Sequence, residues 1–305
     1  MGKYSVDWKG YIPAITTNFN RAGEFDSEGM RALVRWLLGQ GVHGVVTAGT
    51  QGEWFAMSFE EKASLFSVVS EELKGKCTII AGCNGFTVDE VVKNAELAES
   101  LGFDGILLSA PAYMSLTERE VYQFFSDVSD RVYLPICVYN WPPGTNLDMS
   151  FELISKLAEL EKVVALKHST PDLHSFVQVF YAMKDKIRVF GVPVNEFGIS
   201  LMKEENAAGQ MGAAAILGSE HPQFFNAIWD GDYETAKRIG SRDSFLMQSW
   251  FTPDLTGRFA SAQAIFKEAL NLQGLPGGYP RQPILPLDDS GKEIVRRTLE
   301  ILGKI

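Results

Sequence analysis

The chain has 305 residues, with 28 basic and 38 acidic side chains, a formal net charge of −10, and 46% hydrophobic against 22% charged residues. That balance excludes a disordered chain and argues against a nucleic-acid partner, whose phosphates call for a basic surface. Three cysteines, Cys77, Cys83 and Cys137, form no C-x-x-C pair and cannot staple a chain this long, so a reducing cytoplasm is the expected compartment. No signal-peptide core follows Met1, and every apolar run is far shorter than the roughly 20 residues a membrane helix needs, so no membrane partner is expected.

In chain order, the first strand-like run begins near Tyr11 (YIPAITT). An amphipathic stretch from Ser27 to Gly39 follows, with Met30, Leu33, Val34, Leu37 and Leu38 on one face. Its end, Gly39 to Gly44 (GQGVHG), matches G-x-G-x-x-G, but a dinucleotide fingerprint must follow a strand and open a helix. Here the order is reversed, so the run reads as a helix C-terminus in which glycine supplies a positive φ. The second apolar run begins near Val42 (VHGVVTA), and Ser58–Glu61 is a capping box that opens the next helix. Runs near Cys77 (CTIIAG) and Asp104 (DGILLSA) are followed by further boxes at Thr87–Glu90 and Thr117–Glu120. The remaining runs begin near Tyr133 (YLPICVYN), Lys162 (KVVALK), Ile187 (IRVFG) and Gln210 (QMGAAAI).

Eight strands separated by helices, at about 28 residues per interval, are βα units. They predict an α/β fold, a (β/α)₈ barrel over 1–230. Three helical stretches follow, from Asp232, over 257–273 and over 290–302, with the Pro- and Gly-rich LPGGYPRQPILP between the last two. They predict a C-terminal helical region over 231–305, packed on the barrel.

Sites in such a barrel form at the C-terminal ends of the strands. After the second strand, Gly49-Thr50-Gln51-Gly52-Glu53 can expose backbone N–H groups to a carboxylate or phosphate, or be an ordinary turn. The fifth strand ends in Tyr139-Asn140-Trp141-Pro142, and alternation puts Cys137 and Tyr139 on one face. Tyr139 can shuttle protons at the barrel mouth or be a core aromatic. The sixth strand, KVVALKHST, ends in Lys167, in register with Val163 and Ala165. If those point inward, desolvation lowers the Lys167 pKa, and the free amine can attack a carbonyl. The alternative is a surface lysine capping a strand. His168 points the other way and reads as structural, and His43, His174 and His221 are scattered without HxH or HExxH, so no metal site is expected. Trp54, Phe55, Tyr113, Met114 and Trp141 follow strands and could line a substrate mouth or cover the rim.

The order of these pieces (GTQGE after strand two, PAY after strand four, YNWP after strand five, a lysine ending strand six) resembles the dihydrodipicolinate synthase / N-acetylneuraminate lyase family of class I aldolases. The resemblance runs from PAITTNF at 13–19 through the helical tail. It implies a Schiff-base lyase that makes or breaks a C–C bond of a 2-oxo acid through a pyruvate enamine, with no cofactor. It further implies Lys167 as the imine-forming lysine, Tyr139 and Thr50 as the proton relay, and the Thr50 and Gln51 N–H groups, with Gly49 and Gly191, around a pyruvate-like carboxylate. It implies that Tyr113 reaches a neighbouring subunit's site in a homotetramer built as a dimer of dimers. The chain departs from the synthase pattern at Gln51 (a second threonine there), at Met114 (an asparagine), and at Gly144, where an arginine would hold the second substrate's carboxylate. Trp54 and Trp141 make the outer site more apolar. These departures point to another 2-oxo acid, a deoxy sugar acid or an aromatic aldol. Dehydration of a 2-keto-3-deoxy sugar acid through the same imine, and a silent barrel that senses a 2-oxo acid, are the alternatives.

Overall fold

The structure, a computed structural model, describes residues 1–205, 207–212 and 214–305. In chain order the elements are β1 (Gly10–Tyr11), α1 (Ser27–Gly39), β2 (Gly44–Thr47), α2 (Phe59–Leu73), β3 (Thr78–Gly82), α3 (Val88–Leu101), β4 (Gly105–Ser109), α4 (Glu118–Arg131) and β5 (Ile136–Asn140). They continue with α5 (Pro142–Thr145), α6 (Phe151–Leu157), β6 (Val163–His168), α7 (Leu173–Met183), β7 (Arg188–Phe190), α8 (Glu196–Glu205), β8 (Gly209–Gln210), α9 (Glu220–Trp229), α10 (Tyr233–Trp250), α11 (Ala262–Leu272) and α12 (Asp289–Ile301).

The helix starts follow from local chemistry. Ser58, Thr87 and Thr117 each accept the third-residue N–H, and Glu61, Glu90 and Glu120 reach back to the cap N–H, so all three boxes form. Helix α1 spans the expected Ser27–Gly39, with Asp26 as its cap, and Gly41 just past its end has φ +79°. The GQGVHG run is thus the exit of α1 and the entry to β2, with no helix opening on it.

All strand pairs are parallel, in the order β1-β8-β7-β6-β5-β4-β3-β2. The seam between β1 and β2 is closed by the Ala14–Val46 bridge and by bonds from Val46 N to Pro13 O (2.8 Å) and Ile15 N to Val46 O (2.9 Å). Alternation along each strand sorts the core into two layers. Trp8, Ile12, Val46, Ile80, Leu107 and Phe190 belong to the cluster filling the barrel, and a larger cluster lies between the strands and the helices. At the floor, a Cβ on Gly105 would sit 2.4 Å from the Trp8 ring, so glycine is what admits that indole.

One register expectation is corrected. Ile136 pairs with Val163, but Cys137 pairs with Ala165, so β6 carries one extra residue there. Val163 therefore joins the outer cluster, while Val164 and Ala165 both face the barrel interior. Two-residue alternation is broken by this bulge, and it resumes in time to place Lys167 inside.

Helix α10 packs on α8, α9 and α12, and α11 packs on α12. The LPGGYPRQPILP segment folds back onto the barrel. Tyr279 N donates to Phe19 O (2.9 Å), and the Arg281 guanidinium bonds Glu61 and the carbonyls of Gly23 and Ala56. No helix among the described residues is long and apolar enough to cross a membrane.

Candidate active site

Strands β5 and β6 set the centre of the site. Tyr139 and Lys167 are register partners on adjacent parallel strands, so their side chains emerge side by side. Lys167 Nζ lies 4.3 Å from the centre of the Tyr139 ring. Both side chains are buried, with 8% and 7% exposure. Burial pulls the Lys167 ammonium down to about 8, opposed by Cys137 below it. Burial pushes the Cys137 thiol up to about 12, so that thiol stays neutral. Burial also pushes the Tyr139 phenol up, opposed by hydrogen bonds with the Thr50 and Ser169 side chains. At neutral pH, Tyr139 is a neutral phenol linked to two hydroxyls, beside an amine that loses its proton readily.

The loop after β2 faces this pair. Ala48 has φ +50° and Glu53 φ +55°, so a tight left-handed turn brackets Gly49-Thr50-Gln51-Gly52. The N–H groups of Thr50 and Gln51 have no acceptor among the described residues. Two carbonyls of the loop are tied down: Thr50 O accepts from Gln263 Nε2 (3.0 Å) of α11, and Gly52 O from Thr17 Oγ1 (2.7 Å). Glu53 is fully buried and pairs with Lys267 of α11, which is 1% exposed. Lys267 Nζ also donates to Tyr279 O (2.8 Å), and Arg281 N donates to Glu53 Oε2 (2.8 Å). The C-terminal helices thereby hold the loop while the Thr50 and Gln51 N–H groups stay unspent.

These residues open into a cavity of about 360 Å³. Thr50, Gln51, Tyr139, Lys167 and Ser169 line it. Trp141, Met247, Phe251 and Leu255 line it as well, with His221 and Asp243 also on its wall. His221 Nε2 lies 2.9 Å from Asp243 Oδ1, and the Tyr11 ring stacks on His221 at 4.5 Å.

The other expected residues sit elsewhere. Gly49 and Gly191 are outside the lining. Gly191 has φ +122°, and a Cβ there would meet the His168 carbonyl oxygen at 2.5 Å, so it is the residue that lets β7 leave close beside β6. Tyr113 is 90% exposed on the loop after β4, away from the cavity of its own chain. Trp54 does not line the mouth. The turn at Glu53 sends its ring to Phe55 and Phe86, at 6.2 and 6.0 Å. His168 faces away from the barrel interior, with Nδ1 3.2 Å from Asn140 Nδ2 and its ring stacked on Phe176; burial pulls it down to about 4. No group of three or more His, Cys, Asp or Glu side chains among the described residues is placed to hold a metal ion.

Sequence reasoning missed Ser169, although its position two residues after Lys167 on the same face was a usable signal. It also missed the wall supplied by α10, for which no local signal exists.

Comparison with known proteins bears on the whole chain. The model of the dihydrodipicolinate synthetase family matches residues 7–302. A DapA-like lyase of Rhizobium meliloti is 31% identical, covering 93% of each chain. A 4-hydroxy-tetrahydrodipicolinate synthase of Methylobacterium radiotolerans is 31% identical, covering 97% of this chain and 96% of its own. The dihydrodipicolinate synthase of Acinetobacter baumannii, solved as a complex with pyruvate, superposes with a TM-score of 0.86 at 25% identity, covering 98% of this chain and 100% of that one. The N-acetylneuraminate lyase of Mycoplasma synoviae shares the fold, with a TM-score of 0.81 at 22% identity over 96% and 98% of the two chains.

Proposed function

We propose, from the premise that the chain belongs to the dihydrodipicolinate synthetase family, a family of lyases, that it is a Schiff-base lyase acting on 2-oxo acids. The observation that carries this is the pairing of a buried, readily deprotonated Lys167 with Tyr139 across β5 and β6. In this reading the Lys167 amine adds to the 2-oxo carbon. The resulting carbinolamine loses water, with the proton supplied through Tyr139, and becomes an iminium. The 4-hydroxyl then gives up its proton, the C3–C4 bond breaks, an aldehyde leaves, and the bonding pair moves into the iminium as an enamine. Protonation at C3 and hydrolysis free pyruvate and the amine. The reverse order joins the two halves.

Tyr139 is held as a neutral phenol, so its role is to pass a proton along its bonds to Thr50 and Ser169. The Thr50 and Gln51 N–H groups hold the substrate carboxylate and so orient the 2-oxo carbon toward Lys167. The iminium supplies the electron sink, so the reaction needs no further cofactor. Family resemblance supports assembly as a homotetramer in which Tyr113 serves a neighbouring subunit's site, a role its exposure leaves open to it.

Incubation with pyruvate, reduction with borohydride and peptide mass analysis test this reading. The expected result is one reduced adduct, on Lys167. Absence of an adduct would sink it. An adduct without any turnover of 4-hydroxy-2-oxo acids would favour a sensor instead.

A further inference from the structure

Resting on the lyase reading of Lys167, we infer that the aldehyde half of the substrate is uncharged and largely apolar, a benzaldehyde-type ring being its simplest form. Three observations in the cavity carry this.

The first is steric. A Cβ at Gly144 would lie 2.4 Å from Cε3 and 2.6 Å from Cζ3 of Trp141. The indole occupies the space that a longer side chain at 144 would enter. It is held there by a long bond from Nε1 to Asp254 O (3.4 Å) and lies parallel to the Tyr139 ring at 6.4 Å and 5°. A flat aromatic wall therefore continues outward from the proton-relay residue.

The second is electrostatic. Among the described residues lining the cavity, Lys167 is the one Lys or Arg side chain, and the imine consumes its amine. The other lining residues able to carry a charge are Asp243 and His221, which face each other at 2.9 Å. A second carboxylate or a phosphate on the aldehyde half would lose water and meet no guanidinium or ammonium.

The third is the surrounding wall. Val194, Met247, Phe251, Leu255 and Phe266 line the same space as Trp141, and Phe251 stacks on Phe266 at 5.2 Å. Offset aromatic faces and a thioether suit a ring, and the polar side chains on the same wall, Asn195, Gln210, Ser244 and Gln248, are uncharged and add no counter-ion for an anionic group.

A matched set of 2-oxo acids tests this. Pyruvate, 4-phenyl-2-oxobutanoate, 2-oxoglutarate and a 3-deoxy-2-oxo sugar acid are each titrated against the protein with borohydride, and Lys167 modification is quantified by mass. The phenyl compound and 2-oxoglutarate differ only in the group on C4. Half-modification by the phenyl compound is expected at a concentration at least about tenfold lower than by 2-oxoglutarate or the sugar acid. The double variant Trp141→Ala, Gly144→Arg is expected to reverse the order of the phenyl and dicarboxylic compounds. Equal or better trapping of 2-oxoglutarate or the sugar acid by the unaltered protein overturns the inference while the lyase reading stands. No adduct with pyruvate overturns both.

Discussion

At Lys167 the chain buries an amine beside a neutral thiol and a neutral phenol, and desolvation rather than a neighbouring charge sets its acidity. Two predictions belong to this scale. Imine formation needs the free amine, so the rate of borohydride trapping with pyruvate should climb about tenfold per pH unit and level off near pH 8; a climb continuing past pH 10 would mark an ordinary surface lysine. The same burial has a stability signature. Because the folded-state pKa lies below the unfolded one, the ammonium penalises the folded state at all pH below about 8, and the penalty fades as pH rises toward the ordinary lysine value of 10.5. Lys167→Met should therefore abolish trapping and yet be more stable than the parent by about 3 kcal/mol at pH 7, a margin that shrinks above pH 8, as urea denaturation at several pH values would show. Tyr139→Phe should lower kcat by about 10²–10³; near-normal turnover would remove it from the relay.

At the scale of elements, the loop after β2 and helix α11 form one unit. The Glu53–Lys267 pair is almost wholly excluded from solvent, and Arg281 N and Tyr279 O supply further bonds to its two members. Lys267→Met leaves a buried carboxylate without its cation, which should cost about 3–5 kcal/mol by chemical denaturation. Adding Glu53→Gln should recover much of that loss, because a neutral amide beside a thioether has little charge to desolvate; a double variant no better than the single one would refute the pairing as the cause. Much at this scale was readable in the residues. The three capping boxes and the helix-ending glycines are local, so Ser58, Thr87, Thr117 and Gly41 could be placed without a fold. The bulge at Val163–Val164 could not, since a strand's register is set by its neighbour and no residue in KVVALK announces the slip.

At the scale of the molecule, the barrel supplies the reacting groups, and the C-terminal helices supply the wall around them. Phe251 and Leu255 follow α10, Met247 lies on it, and Gln263 and Lys267 of α11 steady the loop that carries Thr50. A chain ending at residue 230 should therefore fail to trap pyruvate on Lys167. It should also unfold at lower denaturant with a broader transition than the full chain, because the apolar face that α10 and α11 cover would be bare. A fragment that traps pyruvate normally would show the barrel to be self-sufficient.

The sequence by itself determined the alternation of strands and helices, the ends at which side chains could meet, and the family whose motifs stand in the same order. These are carried by short-range signals: hydrophobic period, caps and turn residues within a few positions of one another. Tertiary structure alone decided that Trp54 turns away from the cavity while Trp141 forms its wall, that Ser169 joins Thr50 at the Tyr139 hydroxyl, and that an Asp243–His221 pair shares the chamber with Lys167. Those contacts join residues far apart in the chain, and what each side chain does there depends on the water and charge that its distant neighbours remove or supply.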